Sequence, residues 1–354
     1  MAYQGIIHRY GHLLDLPAHS KSISLLEGNT PLIPMTRLGK DLGCELYVKF
    51  EGLNPTGSFK DRGMTAAISE AIGRGAETVI CASTGNTAAS AAAYAARAGL
   101  RAIVLIPEGK VAVGKLAGAI AYGAEVIQVQ GSFDDALSLV VAITQKTPIA
   151  LVNSINPFRI EGQKTAAFEI CDDLSRAPDW LCLPIGNAGN ITSYWAGFKQ
   201  YQKGLPRMLG VQAAGAAPLV LGYPVDKPET IATAIRIGRP ARGEQALSAA
   251  QESNGRIIAV SDDEILSAQK ILAGEGVWVE PASAAGLAGL ITEAGRGRRP
   301  ATEGSVEGSL DAKGKKVVLV CTGHGLKDPS IVTETFESPK IIPASYDALF
   351  GMIA

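Results

Sequence analysis

From residue 45 onward, short apolar runs alternate with stretches in which apolar positions recur every three or four residues. ELYVKF (45–50), ETVICA (77–82), AIVLI (102–106), EVIQV (125–129) and IALV (149–152) read as strands, and 61–74, 86–98, 112–122 and 132–146 between them as helices. The helix at 132–146 is the clearest: Phe133, Ala136, Leu137, Val140 and Val141 share a face, and Ser132 with Asp135 reads as a capping box. A second series follows, with strands at DWLCLPI (179–185), MLGVQ (208–212), RIIAV (256–260), VWV (277–279) and KVVLVC (316–321). Its helices are expected near 191–203, after Ser261 with Glu264 three residues on, and after Pro281. Strands alternating with helices in this way make βαβ units, and the pattern predicts α/β architecture with parallel sheets.

Length and charge narrow the picture. A chain of 354 residues suggests about two domains, hence a cleft between them. With 33 Lys and Arg against 34 Asp and Glu, the net charge of −1 gives no field that would recruit nucleic acid or an anionic membrane. A small molecule is the expected partner. Cys44, Cys81, Cys171, Cys182 and Cys321 are scattered without a CxxC pair and read as reduced core residues. The first seventeen residues lack the basic start, apolar middle and cleavage site of a secretory signal, so a cytoplasmic protein is expected. Residues 78–96 are uncharged but broken by Ser, Thr and Asn, unlike a membrane span. His8 and His12 stand four apart without an evident third ligand, so no metal is expected and a frayed terminus is the reading. The Gly-rich, charged stretch 294–315 reads as a mobile surface loop.

In parallel α/β sheets ligands gather where strands end and helices begin. Four such corners stand out: SFKDRG (58–63), STGNTAAS (83–90), GNAGN (186–190) and CTGHG (321–325). Small residues in GNAGN let backbone N–H groups converge on an anion such as phosphate, although an isolated Gly-rich turn is often only a turn. STGNTAAS adds the hydroxyls of Ser83, Thr84 and Thr87 and the Asn86 amide, a set suited to a carboxylate; Ser83 or Thr84 also reads as the helix N-cap. Lys60 at the first corner is a surface lysine or, if held and partly desolvated, an amine that forms a Schiff base. An amine, a phosphate cradle and a carboxylate cradle together are what pyridoxal phosphate and an amino-acid substrate require.

LLEGNTPLIPMTRL (25–38), EGLNPTGSFKDRGM (51–64), STGNTAAS, NSINPFRIEGQKT (153–165), GNAGN, TAIRIG (233–238), EPASAAG (280–286) and TGHGLKDP (322–329) resemble, in order and spacing, the threonine synthase family. Those are pyridoxal-phosphate lyases of the tryptophan synthase β-subunit fold type. The resemblance implies a fold-type II enzyme with two doubly wound parallel-sheet domains and the active site between them. It implies an N-terminal segment (1–50) packing on the large domain, a smaller α/β domain (51–152) and a larger cofactor-binding domain (153–354). By resemblance Lys60 carries the cofactor as a Schiff base and moves protons. Asn86 bonds the ring hydroxyl, Gly186, Asn187, Ala188, Gly189 and Asn190 wrap the cofactor phosphate, and Thr322 faces the pyridine nitrogen. Ser83, Thr84 and Thr87 hold the substrate carboxylate; Asn153, Ser154 and Arg159 hold its phosphate. On residue type alone Arg159 reads equally as a solvated helix residue. The implied reaction takes O-phospho-L-homoserine and water to L-threonine and phosphate, in a homodimer. The runner-up is a serine or threonine dehydratase of the same fold type, which usually shows a GGGGL-like loop, a serine facing the pyridine nitrogen and a histidine in place of Thr87.

Overall fold

A computed structural model describes residues 2–108, 113–131, 133–296, 310–331 and 341–353. Among the described residues ten strands form two sheets. They are β1 (Leu32–Pro34), β2 (Glu45–Phe50), β3 (Thr78–Ala82), β4 (Arg101–Pro107), β5 (Glu125–Val129), β6 (Ala150–Leu151), β7 (Trp180–Pro184), β8 (Arg207–Ala213), β9 (Arg256–Val260) and β10 (Lys316–Cys321). The helices in the first half are α1 (Ile6–Tyr10), α2 (Thr36–Leu42), α3 (Lys60–Gly73), α4 (Asn86–Ala98), α5 (Val113–Ala121) and α6 (Phe133–Thr144). Those that follow are α7 (Pro157–Leu174), α8 (Gly189–Tyr201), α9 (Pro218–Leu221), α10 (Gly243–Glu252), α11 (Asp262–Gly274), α12 (Pro281–Arg296) and α13 (Tyr346–Ile353).

The larger sheet runs β1-β2-β10-β7-β8-β9 and the smaller β5-β4-β3-β6. Every pairing is parallel except β1 with β2. Such sheets are covered on both faces, which is why β7 and β3 are apolar almost throughout instead of alternating. One face of the larger sheet packs Val211, Leu319 and Cys321 against Leu287 and Leu290 of α12 and Leu272 of α11; the other packs Leu181, Leu183 and Val320 against Ile191 and Phe198 of α8. The smaller sheet buries Val79, Cys81 and Val104 against Met64 and Ile68 of α3 and Ala88, Ala92 and Tyr94 of α4. Val140 and Ala136 of α6 cover its other face. Among the described residues no helix is long and apolar enough to cross a membrane.

Helix α7 joins the halves, packing against α3 on one side and α8 on the other. Glycine permits the approach. A Cβ on Gly162 would stand 1.8 Å from the Arg62 carbonyl oxygen, and one on Gly197 of α8 would stand 2.5 Å from that of Lys164. Beneath this crossing lies a buried charge cluster. Arg62 bonds Glu51 at 2.7 Å and Glu169 at 2.6 Å, and Lys49 bonds Glu169 at 2.9 Å. The two cations hold the Glu169 carboxyl well below the usual carboxylate range against its burial. Removing one partner from such a cluster typically costs about 3–5 kcal/mol.

Several sequence expectations fail locally. VWV is not a strand: only Val279 makes an isolated bridge, to His324, because the segment serves as a short connection into α12. The terminus is not frayed, since Ile6 and Tyr10 are buried and the Tyr10 hydroxyl donates to Asp172 at 2.8 Å. The stretch 294–315 is not all loop, because α12 extends to Arg296 and Leu310 and Ala312 are buried in the larger core. Residues 297–309 of it, and Ser132 of the expected capping box, lie outside the described residues. The box expected at Ser261 and Glu264 is present.

Candidate functional site

A cleft of about 580 Å³ opens between the carboxyl ends of the two sheets. Its walls include Lys60, Ser83, Thr84, Asn86, Thr87, Asn153, Ser154, Gly186, Asn187, Ala188, Gly189, Asn190, Glu280 and Thr322. Thirteen of the fourteen residues singled out from sequence therefore converge. The exception is Arg159.

Lys60 is the first residue of α3, and the turn before it is stitched to the end of β10. Phe59 N–H donates to the Thr322 carbonyl at 2.9 Å, His324 N–H to the Gly57 carbonyl at 2.9 Å, and Ser58 bridges Gly323. On the other side Asp61 accepts from Thr56 N–H at 2.7 Å and from the Ser90 hydroxyl at 2.6 Å, tying the turn to α4. The Lys60 backbone is thereby fixed next to Thr322, and its amine lies 4.1 Å from the Phe59 ring centroid. Burial, with help from the Arg159 charge and against that of Glu280, lowers its pKa to about 7. An appreciable fraction is a neutral nucleophile near neutrality.

At GNAGN, β7 ends at Pro184 and α8 begins at Gly189. Ala188 sits at φ 64°, a left-handed conformation that costs an L-residue about 1–2 kcal/mol and turns successive N–H groups the same way. No side chain caps α8, and the buried Asn190 Nδ2 has no partner. Such unpaired donors at a helix start are suited to an anion. Gly186 packs against the TAIRIG turn, where an added Cβ would meet the Ala234 oxygen at 3.1 Å.

At STGNTAAS the N-cap is Gly85, with no side-chain cap, rather than Ser83 or Thr84. Ser83 Oγ instead accepts from Gly85 N–H at 3.3 Å and Ala88 N–H at 3.2 Å, from a position before the cap. Asn86 Nδ2 donates to both carboxylate oxygens of Glu280, at 3.0 and 3.1 Å.

The third anion segment is less simple. The Asn153 amide pairs with both backbone groups of Ala82 at 2.9 Å, so its first task is to pin the end of β3. Ser154 lines the cleft. Arg159 is neither solvated nor part of the wall: 1% exposed, it runs beneath α3, donates to the Val152 carbonyl at 2.9 Å and leaves Nε without a partner. Burial lowers its pKa to about 10. Besides Lys60, Arg236 and Lys327 are the cationic side chains of the wall among the described residues; neither stood out in the sequence, although they lie in TAIRIG and TGHGLKDP. Nor did Ser283, in EPASAAG, whose hydroxyl lies 2.8 Å from that of Thr322. Gly323 N–H donates to Ser283 at 2.8 Å. If Ser283 directs its single proton along the short contact, the Thr322 hydrogen is left for the cleft.

A family model described as pyridoxal-phosphate dependent enzyme matches residues 23–323. The threonine synthase of Halalkalibacterium halodurans is 53% identical, with 99% of this chain and 98% of that protein covered. That of Synechocystis sp. is 56% identical, with 94% and 85% covered. Among solved structures, maize serine racemase matches with TM-score 0.72 at 23% identity, covering 87% of this chain and 91% of that one. The threonine deaminase isoform 2 of Solanum lycopersicum matches with TM-score 0.72 at 22% identity, covering 95% of each. At those identities the two structures speak to the fold alone.

Proposed function

We propose that this chain, which belongs to the pyridoxal-phosphate dependent enzymes and within them to the threonine synthases, converts O-phospho-L-homoserine and water to L-threonine and phosphate. The observation that carries the reading is the convergence, in one cleft, of a lysine with pKa lowered to about 7 and two helix starts, that of α4 lined by hydroxyls and that of α8 uncapped. The residues fit the cofactor: the α8 turn offers unpaired donors to its phosphate, Lys60 an amine to its carbonyl, and Thr322 a neutral hydroxyl to its ring nitrogen. A hydroxyl does not stabilise a protonated ring as a carboxylate would. When bound, pyridoxal phosphate supplies the electron sink for carbanions next to the imine carbon.

The chain's own groups do the rest. Ser83, Thr84 and Thr87, at the start of α4, hold the substrate carboxylate with hydroxyl and N–H donors and the helix dipole. Lys60 moves protons at Cα and Cβ from beside Thr322. We assign the leaving phosphate to Asn153, Ser154 and Arg159; the support is that the first two line the cleft and that Arg159, packed behind the wall, carries a buried, unpartnered donor that must turn toward the cleft to reach it. A dehydratase is not favoured, because Thr87, Thr322 and GNAGN replace the residues usual in those enzymes. The domain limits 1–50, 51–152 and 153–354 belong to the same reading. So does a cytoplasmic homodimer, supported by five free cysteines and by the exposed Leu349, Phe350 and Met352 of α13, which a second copy would cover.

The test is kinetic. The purified protein absorbs in the visible and releases phosphate from O-phosphohomoserine with formation of threonine. Arg159→Ala lowers kcat/KM for that substrate by about two to three decades, the effect of losing a desolvated charged partner worth about 2–4 kcal/mol. Slow deamination of serine is far less affected. An equal loss on both substrates would make Arg159 structural and move the phosphate site to Arg236.

A further inference from the structure

We propose that Glu280 is a positioning residue: its carboxylate latches the Asn86 amide across the cleft and so orients that amide against the cofactor. The inference rests on the reading of Asn86 as the partner of the ring hydroxyl. Asn86 opens α4, whose apolar face belongs to the four-stranded sheet. Glu280 immediately precedes α12, whose apolar face belongs to the six-stranded sheet. The contact between them is thus a side-chain tie from one half of the molecule to the other, made inside the site.

Glu280 is built to hold this place. It is 5% exposed, and its N–H donates to the Gly323 carbonyl at 3.2 Å, next to Thr322. A Cβ on Gly323 would lie 2.4 Å from Oε1, so the carboxylate rests on bare backbone. Burial raises the Glu280 pKa; the Asn86 hydrogen bond and the charges of Lys327 and Lys60 oppose that and favour the carboxylate, and Asp328 adds to the rise. An ionised carboxylate only accepts hydrogen bonds, so it requires the NH₂ end of Asn86 to face it. The terminal torsion of an asparagine is otherwise broad. With both oxygens within 3.1 Å of Nδ2, that torsion is fixed and the second N–H is left for another acceptor in the cleft.

The test is a double-mutant cycle on the reconstituted enzyme, read as the dissociation constant of pyridoxal phosphate from the apoenzyme and as the wavelength of the bound cofactor's visible band. Asn86→Ala and Glu280→Ala each weaken cofactor binding by about tenfold, the scale of one charge-assisted hydrogen bond, and the double variant by about tenfold again rather than a hundredfold. Glu280→Gln, whose oxygen still accepts from the amide, stays within about threefold of the parent and keeps its band. Thermal melting identifies a variant that fails to fold, and Glu280→Asp, with its acceptor withdrawn, then completes the cycle. Additive losses in the double variant, or a Glu280→Gln protein as weak as Glu280→Ala, would overturn the latch. An effect of Asn86→Ala without one of Glu280→Ala removes the latch alone; no effect of Asn86→Ala removes the reading of Asn86 with it.

Discussion

The proposed chemistry depends first on one amine. Ordinary lysine titrates near 10.4 and would be almost wholly protonated at neutral pH. In the cleft, burial and the guanidinium of Arg159 bring Lys60 down to about 7, while Glu280 pulls the other way. Cofactor capture by the apoenzyme needs the neutral amine, so its rate rises with pH to a plateau, with a midpoint near 7. Arg159→Ala removes a repelling charge, favours the ammonium and moves the midpoint upward. Stopped-flow absorbance across pH 5 to 10 measures it, and a downward shift in the variant, or a parent midpoint near 10, contradicts the assignment. At this scale much was legible in advance, because Lys60, Asn86, GNAGN and Thr322 lie in turns whose small residues mark them. Arg159 was legible only as a residue type. Whether a helical arginine faces solvent or lies under a neighbouring helix depends on the glycines opposite it, here Gly63, whose added Cβ would meet Arg159 Nε at 2.5 Å.

Elements were legible where one pattern dominated: the run 86–98 is α4 as expected, and the apolar strands are strands. VWV failed because three apolar residues suit a buried connection as well as a strand. The α3–α7 crossing could not be read at all, since it depends on two helices far apart in sequence meeting at Gly63 and Gly162. It orients Lys60, the first residue of α3, and it has a measurable consequence. Gly162→Ala places a methyl against the Arg62 backbone and should lower the unfolding free energy by roughly 3 kcal/mol, at the upper end of overpacking costs. Gly274→Ala, with nothing within 4 Å, should be neutral or gain up to about 1 kcal/mol. Urea unfolding of the two variants decides it; similar midpoints would show that the helices move apart freely.

Over the whole molecule, the site exists because two sheets present their carboxyl ends to one cleft and α7 locks them at a fixed spacing. The cleft was expected from length and the parallel sheets from βαβ repetition, while a pair of parallel-sheet domains was implied by the family resemblance. The strand order was not, because β2, early in the chain, pairs with β10 near its end, across more than 260 residues of sequence. That pairing brings the Lys60 turn to Thr322, the two residues proposed to hold the cofactor's carbonyl and its ring nitrogen. Lys327 offers a second amine in the same cleft. Borohydride reduction of the resting enzyme followed by peptide mass mapping locates the lysine that carries pyridoxal phosphate. The account predicts a single modified peptide containing Lys60; label on Lys327, or on neither, would contradict it.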